Sequence, residues 1–242
     1  MNQMKLYGMH RAFKTSLEAG KTQDYTLDEF IDFLVASESD DRHQRKIERL
    51  IKNARFRYKA SIEKIHYLPE RRLDKNAILR LGDCSFIRAS ENLLITGSTG
   101  VGKSYLASAL GYNACEAELK VLYFSTARLL AKLKMAKADD SYIREMARIE
   151  KQDLVILDDF GMQPMDSHNR IALLDLIEDR HARRSMIITS QLPVDKWYEV
   201  IGDKTVADAI MDRIIHNAQR IKLKGESLRK KRPLNNEENN KD

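Results

Sequence analysis

Short apolar runs alternate with longer amphipathic segments between residues 92 and 224. The apolar runs predict buried strands at 92–96, 121–125, 154–157 and 186–189, with a further possible strand at 220–224. The other segments favour helices at 103–119, 127–138, 143–150, 169–183, 194–200 and 206–218. Within 169–183, the periodicity predicts that Ile171, Leu174 and Ile177 face inward. Strands that alternate with helices at this spacing predict an α/β fold, with a parallel sheet covered by helices on both faces.

The first 70 residues carry a different pattern, with helical periodicity and no strand signal. Thr26 and Glu29 have the spacing of a capping box and predict that a helix begins near Leu27. Apolar residues at intervals of three and four predict its buried face, namely Leu27, Phe30, Ile31 and Leu34. We therefore expect a helical domain at 1–70, an α/β domain at 71–232 and a tail at 233–242 that has nothing to bury and is disordered.

The composition has more basic than acidic residues and excludes several classes of protein. The net charge of +6 suggests a polyanionic partner, nucleic acid or an acidic membrane surface, although a merely soluble basic protein fits it equally well. Cys84 and Cys115 are far apart in the sequence, which argues against a disulfide framework or a zinc site. Both cysteines are therefore expected to be reduced, and the protein to be cytoplasmic. The apolar runs are too short to cross a bilayer, and the first residues lack the apolar stretch of a signal peptide.

Residues 97–104 read GSTGVGKS and match the phosphate-binding pattern G-x-x-x-x-G-K-[ST]. Glycine suits a loop whose backbone N–H groups turn inward around a phosphate, and the following helix adds the positive end of its dipole. Lys103 would meet the β- and γ-phosphates of ATP, and Ser104 would offer its hydroxyl to Mg²⁺. An ordinary glycine turn with a surface lysine is the weaker interpretation. The expected ATP ligands are Gly97, Ser98, Thr99, Gly100, Val101, Gly102, Lys103, Ser104 and Tyr105.

Asp158 and Asp159 follow the apolar run at 154–157, where a strand end directs carboxylates into the crevice that ligands use. Beside a phosphate loop, the first acid would hold Mg²⁺ and the second would orient or deprotonate the attacking water. Without that loop, a solvated Asp-Asp turn would be the better interpretation. Thr189, Ser190 and Gln191 end the next predicted strand. A polar side chain there would sense the γ-phosphate or hold the water, and capping of the strand end is the alternative reason for its polarity.

Basic residues recur at helical spacing in two places. The first stripe, interleaved by aromatic residues, is Arg42, Arg45, Lys46, Arg49, Lys52, Arg55 and Lys59. The second cluster is Lys132, Lys134 and Lys137. Both suit contacts with the phosphates of duplex DNA without base reading, and a solvated helix face is the alternative. Arg213 and Arg229 are candidates for an arginine that stabilises charge during phosphoryl transfer, although either could be a surface residue.

These motifs carry a family resemblance. The stretches ENLLITGSTGVGKSYLASALG, LVILDDFGMQPM and IKLKGESLRKK resemble the AAA+ ATPases of the IstB/DnaC-like group, which contains helper ATPases of insertion-sequence transposition and bacterial helicase loaders. The resemblance covers residues 75 to about 231, and its part from Trp197 through Arg229 looks like the transposition helper. It implies a P-loop AAA+ three-layer α/β/α core with an N-terminal helical domain and a small C-terminal helical lid portion.

The resemblance also implies roles and partners. Arg213 matches the arginine finger that reaches into a neighbour's ATP site, Arg229 matches the second sensor, and Ser190 and Gln191 fall where the first sensor sits. ATP-bound subunits would assemble through their ATP sites as a homo-oligomer on double-stranded DNA. The region at 1–70 would bind the DNA and the partner. The subunits would help a transposase to select or capture target DNA, and ATP hydrolysis would act as the switch for disassembly.

Three other functions stay open on the sequence. A helicase loader would bind a replicative helicase through its N-terminal region. A small-molecule kinase would use the same loop but would need an acceptor pocket, and its activity would not respond to DNA or require self-association. A binding module with a degenerate ATP site is disfavoured by the complete Gly-Lys-Ser and Asp-Asp set.

Overall fold

The computed structural model describes Met1 and residues 3–228, apart from the side chains of residues 22 and 23. The chain forms two compact units, one spanning Met1–Lys52 and the other beginning at Asn53. Residues 53–70, which the sequence pattern groups with the helical domain, therefore fold with the larger unit. The tail at 233–242, expected to be disordered, lies outside the described residues.

The smaller unit contains helix α1 (Tyr7–Glu18), a 3-10 turn (Lys21–Asp24) and most of helix α2 (Leu27–Ala54). The predicted capping box starts α2. The Thr26 backbone N–H donates to Glu29 Oε2 at 2.8 Å, and the Glu29 N–H donates to Thr26 Oγ1 at 3.4 Å. This reciprocal pair satisfies two backbone donors that a helix start leaves without partners, so the prediction of the capping box is confirmed.

The predicted buried face of α2 is only partly correct. Leu34 is buried, whereas Leu27 and Ile31 keep 74% and 50% of their surface exposed. Phe30 packs on Phe13 of α1, with 6.2 Å between the ring centroids. Periodicity identifies residues that share a face, but α1 has 12 residues against the 28 of α2 and covers only part of that face.

The larger unit is built on a five-stranded parallel sheet with strand order β2-β3-β4-β1-β5. The strands are β1 (Asn92–Thr96), β2 (Val121–Ser125), β3 (Leu154–Phe160), β4 (Ser185–Ser190) and β5 (Ala218–Lys222). The parallel sheet predicted from the sequence is confirmed, although β3 continues beyond its apolar run and β5 begins and ends earlier than predicted. Because β4 lies between β1 and β3, its carboxyl end lies between the segments that follow those two strands.

Helices connect the strands and cover the sheet. They are α3 (Lys75–Gly82), α4 (Ser85–Arg88), α5 (Lys103–Glu116), α6 (Thr126–Ala138), α7 (Tyr142–Glu150), α8 (Ser167–Arg180), α9 (Trp197–Ile201) and α10 (Lys204–Ile215). Asp166 and Asp203 cap α8 and α10, accepting the backbone N–H of Asn169 at 2.7 Å and of Val206 at 2.9 Å. Such caps set a helix start earlier than apolar periodicity alone indicates.

Alternate residues of the strands face opposite layers of helices. Leu94, Leu157 and Ile188 belong to one apolar core, which they share with residues of α6, α8 and α10. On the other face, Gly111 of α5 lies against Ile156, so closely that an added Cβ would come within 2.8 Å of the Ile156 side chain. The predicted three-layer α/β/α architecture is confirmed.

The buried face of α8 differs from the predicted one. Ile177 is buried and Leu174 is partly buried, whereas Ile171 is 49% exposed. Leu173 and Leu176 are buried instead, so the buried face is rotated relative to the predicted set. The prediction for Ile171 is wrong because several apolar stripes fit this segment, and packing against the neighbouring helices selects one.

Among the described residues, none of the helices combines the length and the apolar character that crossing a membrane requires. The last described residues, 223–228, form no helix. The helices nearest the carboxyl end of the described chain are therefore α9 and α10.

Candidate active site

The GSTGVGKS segment forms the turn between β1 and α5. Gly100 and Gly102 have φ angles of 83° and 97°, in the left-handed region that side chains other than glycine rarely adopt. Gly102 lies at the N-cap of α5, a helix of 14 residues. The loop therefore ends at a helix N-terminus, where free backbone N–H groups and the helix dipole favour an anion.

The ammonium group of Lys103 lies over this loop. Its Nζ donates to the carbonyl oxygens of Gly97 at 2.8 Å and Ser98 at 2.9 Å, and the residue is 5% exposed. A buried lysine whose hydrogen bonds lie along the loop is already placed at the phosphate-binding turn. The arrangement fits the charge-neutralising role that the motif predicts for Lys103.

Two segments outside the motif hold the loop. Arg71, which is buried, donates to the carbonyl oxygen of Val101 at 2.9 Å, and the N–H of Leu228 donates to that of Gly100 at 3.0 Å. Burial lowers the pKa of Arg71. Sequence reasoning missed Arg71, which lies at the boundary between the two predicted domains and outside every predicted motif.

Asp158 ends the apolar part of β3 and is fully buried, but both oxygens of its carboxylate have partners. Thr189 Oγ1 on β4 donates to Oδ1 at 2.5 Å, and the hydroxyl of Tyr123 on β2 donates to Oδ2. Burial and the hydrogen bond to Asp158 raise the pKa of Tyr123, which keeps its hydroxyl a donor. A buried carboxylate needs such donors, and here the two neighbouring strands supply them.

Asp159 differs from Asp158 in backbone and exposure. It has a φ of 57°, and the pairing of β3 with β4 shifts register between Leu157 and Phe160. Its N–H donates to Thr189 Oγ1 at 3.1 Å, and its side chain is 29% exposed. Because of this irregularity, the side chain of Asp158 is buried beside the sheet while that of the next residue, Asp159, opens to solvent. Irregular strands beside active sites often redirect side chains in this way.

A guanidinium group bridges the two acids. Arg57 Nη1 lies 3.1 Å from Asp159 Oδ2 and 3.4 Å from Asp158 Oδ2. Sequence reasoning missed Arg57, although it placed the neighbouring Arg55 and Lys59 in a basic stripe. The helical spacing predicts one continuous stripe from Arg42 to Lys59, but α2 ends at Ala54 and the residues after it are not part of that helix.

The two candidates for the first sensor have different surroundings. Ser190 is fully buried, and its Oγ donates to the Phe160 carbonyl at 2.7 Å and accepts the Leu192 N–H at 3.1 Å. Gln191 accepts a hydrogen bond from Thr99 Oγ1 of the phosphate loop at 2.6 Å. The structure therefore joins Gln191 to the loop, while the Ser190 hydroxyl serves the backbone of the strand ends.

Arg213 lies on α10 and is held by its own helix and a neighbouring one. It donates to the Ala209 carbonyl at 2.9 Å and pairs with Glu178 of α8 at 2.9 Å, with its side chain 30% exposed. Among the contacts of the described residues, none joins Arg213 to the phosphate loop or to the acids. Arg229, the candidate second sensor, lies outside the described residues.

The first basic stripe is divided by the structure. Arg42 pairs with Glu38 at 2.7 Å, and Arg45 pairs with Asp41 at 2.6 Å and with Glu38 at 3.5 Å. Glu38 also accepts the N–H of Gly8 at 2.8 Å, so these ion pairs belong to the packing of α1 against α2. Lys46, Arg49 and Lys52 are exposed on α2, whereas Arg55 and Lys59 follow the helix and are exposed beyond its end.

The second basic cluster lies on α6, and each of its lysines has an acidic partner. Lys132 pairs with Glu145, Lys134 with Asp166 at 3.2 Å, and Lys137 with Asp175 at 4.0 Å. These pairs connect α6 to α7 and to the region of α8. They favour a structural role for the cluster, and DNA contact by these lysines stays a prediction.

The site offers oxygen ligands of the kind that Mg²⁺ prefers. Ser104 contributes a hydroxyl and Asp158 a carboxylate, which fits a metal held jointly by the protein and by nucleotide phosphates. Among the described residues, no three His, Cys, Asp or Glu side chains come together as a self-sufficient metal site. A metal bound here would therefore depend on the phosphates of the nucleotide.

Comparison with known proteins gives concordant results. The sequence matches the family model of IstB-like ATP binding proteins over residues 1–236. The insertion sequence ATP-binding protein y4pL of Sinorhizobium fredii is 43% identical over 230 residues, which cover 95% of this chain and 94% of the relative. The IS21 ATP-binding protein of Pseudomonas aeruginosa is 30% identical over 231 residues, covering 96% and 87%.

The fold also resembles that of a solved protein. The DnaC helicase loader superposes with a TM-score of 0.57 at 19% identity, covering 69% of this chain and 98% of the loader. At this identity the likeness extends to the fold alone.

Proposed function

Because this chain belongs to the family of IstB-like ATP-binding proteins, we propose that it is a Mg²⁺-dependent ATPase that assists a transposase during insertion-sequence transposition. The observation that carries the ATPase proposal is the meeting of three strand ends. The phosphate loop follows β1, the acids end β3, and Thr189 on the intervening β4 holds both acids. Phosphoryl transfer needs this combination of a phosphate clamp and adjacent carboxylates.

Each group has a chemical task in the proposed reaction. The loop N–H groups and Lys103 bind the β- and γ-phosphates, and Ser104 with Asp158 provides oxygen ligands for the metal. Mg²⁺, when bound with the nucleotide, neutralises phosphate charge. Asp159, which is more exposed than Asp158, orients the attacking water and accepts its proton.

The remaining candidate residues act between subunits or as sensors. Arg213 is partly exposed and held on α10 by Glu178, which suits an arginine finger presented to the ATP site of a neighbouring copy. Gln191, hydrogen-bonded to Thr99, serves as the first sensor, and Arg229 serves as the second. An ATP site completed by a neighbour makes hydrolysis depend on assembly.

DNA would be the platform for this assembly. The exposed basic residues of α2, led by Arg49 and Lys52, contact the phosphates of duplex DNA without reading bases. ATP-bound subunits form a homo-oligomer on the duplex and recruit the transposase to target DNA, and hydrolysis disassembles them. The insertion sequence names of the relatives support the transposase as partner.

Helicase loading is the alternative that the sequence leaves open, and the likeness to the DnaC loader is one of fold alone. Co-purification separates the two, since a transposition helper retains a transposase and a loader retains a hexameric helicase. The family match over residues 1–236 favours the transposition helper.

Sedimentation velocity tests the proposed switch. We expect fast-sedimenting assemblies with duplex DNA and a non-hydrolysable ATP analogue, and small species with DNA and ADP. Lys103→Ala should remain small in both nucleotides, because the lysine that neutralises the phosphates is lost. Equal sedimentation of the unmutated chain in the analogue and in ADP would contradict the switch.

A further inference from the structure

Arg57 forms ion pairs with both members of the acid pair, and the proposed reaction gives it no task. Its Nη1 contacts Oδ2 of both Asp158 and Asp159. Its guanidinium also lies over the ring of Tyr58, 5.5 Å from the centroid. These contacts hold one positive charge at the carboxylates that the proposed function assigns to the metal and to the attacking water.

The number of acceptor positions on the Asp158 carboxylate limits which groups can bind it at the same time. Each carboxylate oxygen offers about two acceptor positions. Oδ2 of Asp158 already accepts from the Tyr123 hydroxyl and from Arg57, while Oδ1 accepts from Thr189. A metal ion, or a water bound to it, therefore reaches Oδ2 only if one of the two donors withdraws.

Arg57 is the donor that can withdraw. Its side chain is 46% exposed and its contact with Asp158 is long, at 3.4 Å, whereas Tyr123 is 7% exposed and packs inside the unit. An exposed guanidinium regains water when it leaves, but the buried hydroxyl of Tyr123 would lose the carboxylate to which it donates. Replacing a donor at Oδ2 of Asp158 by the metal therefore costs the least free energy when Arg57 is the donor that withdraws.

The residues on either side of Arg57 hold the backbone from which its side chain extends. Phe56 stacks on Tyr112 of α5, with 4.5 Å between centroids, and Tyr58 lies beside Tyr105, at 6.4 Å. An added Cβ at Gly111 would come within 2.5 Å of the Phe56 ring, which indicates a close-fitting seat for this ring. The backbone at residue 57 is therefore anchored on both sides, and the side chain alone is free to move.

We infer that Arg57 is a resident counter-cation of Asp158 and Asp159 that competes with Mg²⁺ for these carboxylates and is displaced when the metal–nucleotide complex binds. This inference rests on the proposed function, because it assigns the metal to the same acids. Without metal, Arg57 screens the two carboxylates from the triphosphate. With metal, its charge becomes redundant and its hydrogen bonds oppose binding.

The test compares the affinity of each variant for a fluorescently labelled non-hydrolysable ATP analogue with and without magnesium. The affinity is determined in excess Mg²⁺ and in EDTA, and their ratio gives the gain due to magnesium. We expect Arg57→Gln to raise this ratio roughly fivefold, because affinity falls in EDTA and is kept or increased with Mg²⁺. Arg57→Lys restores a cation and should return the ratio toward that of the unmutated chain.

Lys64→Gln is the matched control. It removes the same charge from the same stretch of chain, but Lys64 is exposed and its electrostatic partner is the adjacent Glu63 rather than the acid pair. The ratio should be unchanged in this variant. If Lys64→Gln raised this affinity ratio as much as Arg57→Gln, the effect would come from the net charge of the protein, and the role of Arg57 would be overturned.

The remaining outcomes separate the inference from the proposed function. If the unmutated chain binds no nucleotide in either condition, the proposed function fails. If it binds, and Arg57→Gln has the same ratio, only the competition with magnesium fails. Arginine side-chain NMR of the unmutated chain gives a readout independent of variant folding. The signal of Arg57 should shift when Mg²⁺ is added to the nucleotide complex, and an unchanged signal would overturn displacement.

Discussion

At the scale of single residues, one hydroxyl organises the acid pair. Thr189 Oγ1 donates to Asp158 Oδ1 at 2.5 Å and accepts the backbone N–H of Asp159 at 3.1 Å. The first bond fixes the carboxylate of Asp158. The second satisfies an N–H that the register shift between β3 and β4 leaves without a strand partner. Thr189 is therefore a positioning residue for both acids.

Replacing Thr189 by valine tests this role. Valine keeps the shape of the side chain but removes the hydroxyl that donates to Oδ1 of the buried Asp158 and accepts from the Asp159 N–H. We expect the free energy of unfolding, measured in urea, to fall by about 1–3 kcal/mol. ATP turnover should fall on the order of tenfold or more, because the acids lose their alignment. Thr189→Ser keeps the hydroxyl and should stay close to the unmutated chain on both measures.

At the scale of one element, α2 combines two kinds of basic residue. Arg42 and Arg45 are engaged by Glu38 and Asp41 and stabilise the packing of α1 on α2. Hydrogen bonding from Arg42 is the main cause of the lowered pKa of Glu38. Arg49 is exposed further along the same helix. The sequence spacing is the same for both kinds, so only the acidic partners distinguish them.

Substitutions on α2 should separate DNA contact from stability. Arg49→Gln with Lys52→Gln should weaken binding to duplex DNA and reduce the slope of log affinity against log salt by roughly one for each lost phosphate contact. Arg42→Gln with Arg45→Gln, which removes the same charge, should lower thermal stability and change the salt slope less. Equal salt slopes for the two double variants would contradict this division.

At the scale of the whole molecule, the fold keeps Arg213 apart from the residues that it is proposed to serve. Among the described residues, its partners are Ala209 and Glu178, on α10 and α8. The phosphate loop and the acids follow β1 and β3 instead. This separation is what a catalytic arginine supplied to a neighbouring copy requires, because hydrolysis then reports assembly.

Mixing two inactive variants tests the role of Arg213 between subunits. Arg213→Ala should bind ATP with nearly unchanged affinity but hydrolyse it poorly, and Lys103→Ala should fail through its own loop. Although Lys103→Ala subunits do not assemble with one another, each can join the ATP-filled loop of an Arg213→Ala subunit and present Arg213 to it. Together on duplex DNA the two variants should therefore recover part of the ATPase activity. Activity no greater than the sum of the separate variants would contradict a role in trans.

Much of the fold and part of the site follow from local sequence. The strands at 92–96 and 121–125 have the predicted bounds because a short apolar run ended by polar or glycine residues determines its own limits. The phosphate loop is predictable because the glycines, the lysine and the start of α5 act within eight consecutive residues. The acids are predictable because the end of a buried strand marks the ligand-binding edge.

The tertiary structure decided which distant residues complete the site. Tyr123, Thr189 and Arg57 meet Asp158 only because β3 lies between β2 and β4 and because the chain leaves α2 at Ala54. Their separations along the sequence carry no periodic signal. A buried carboxylate accepts whichever donors the packing brings within about 3 Å. The sequence by itself determined the groups that act through consecutive residues, and strand order determined the hydrogen bonds that orient them.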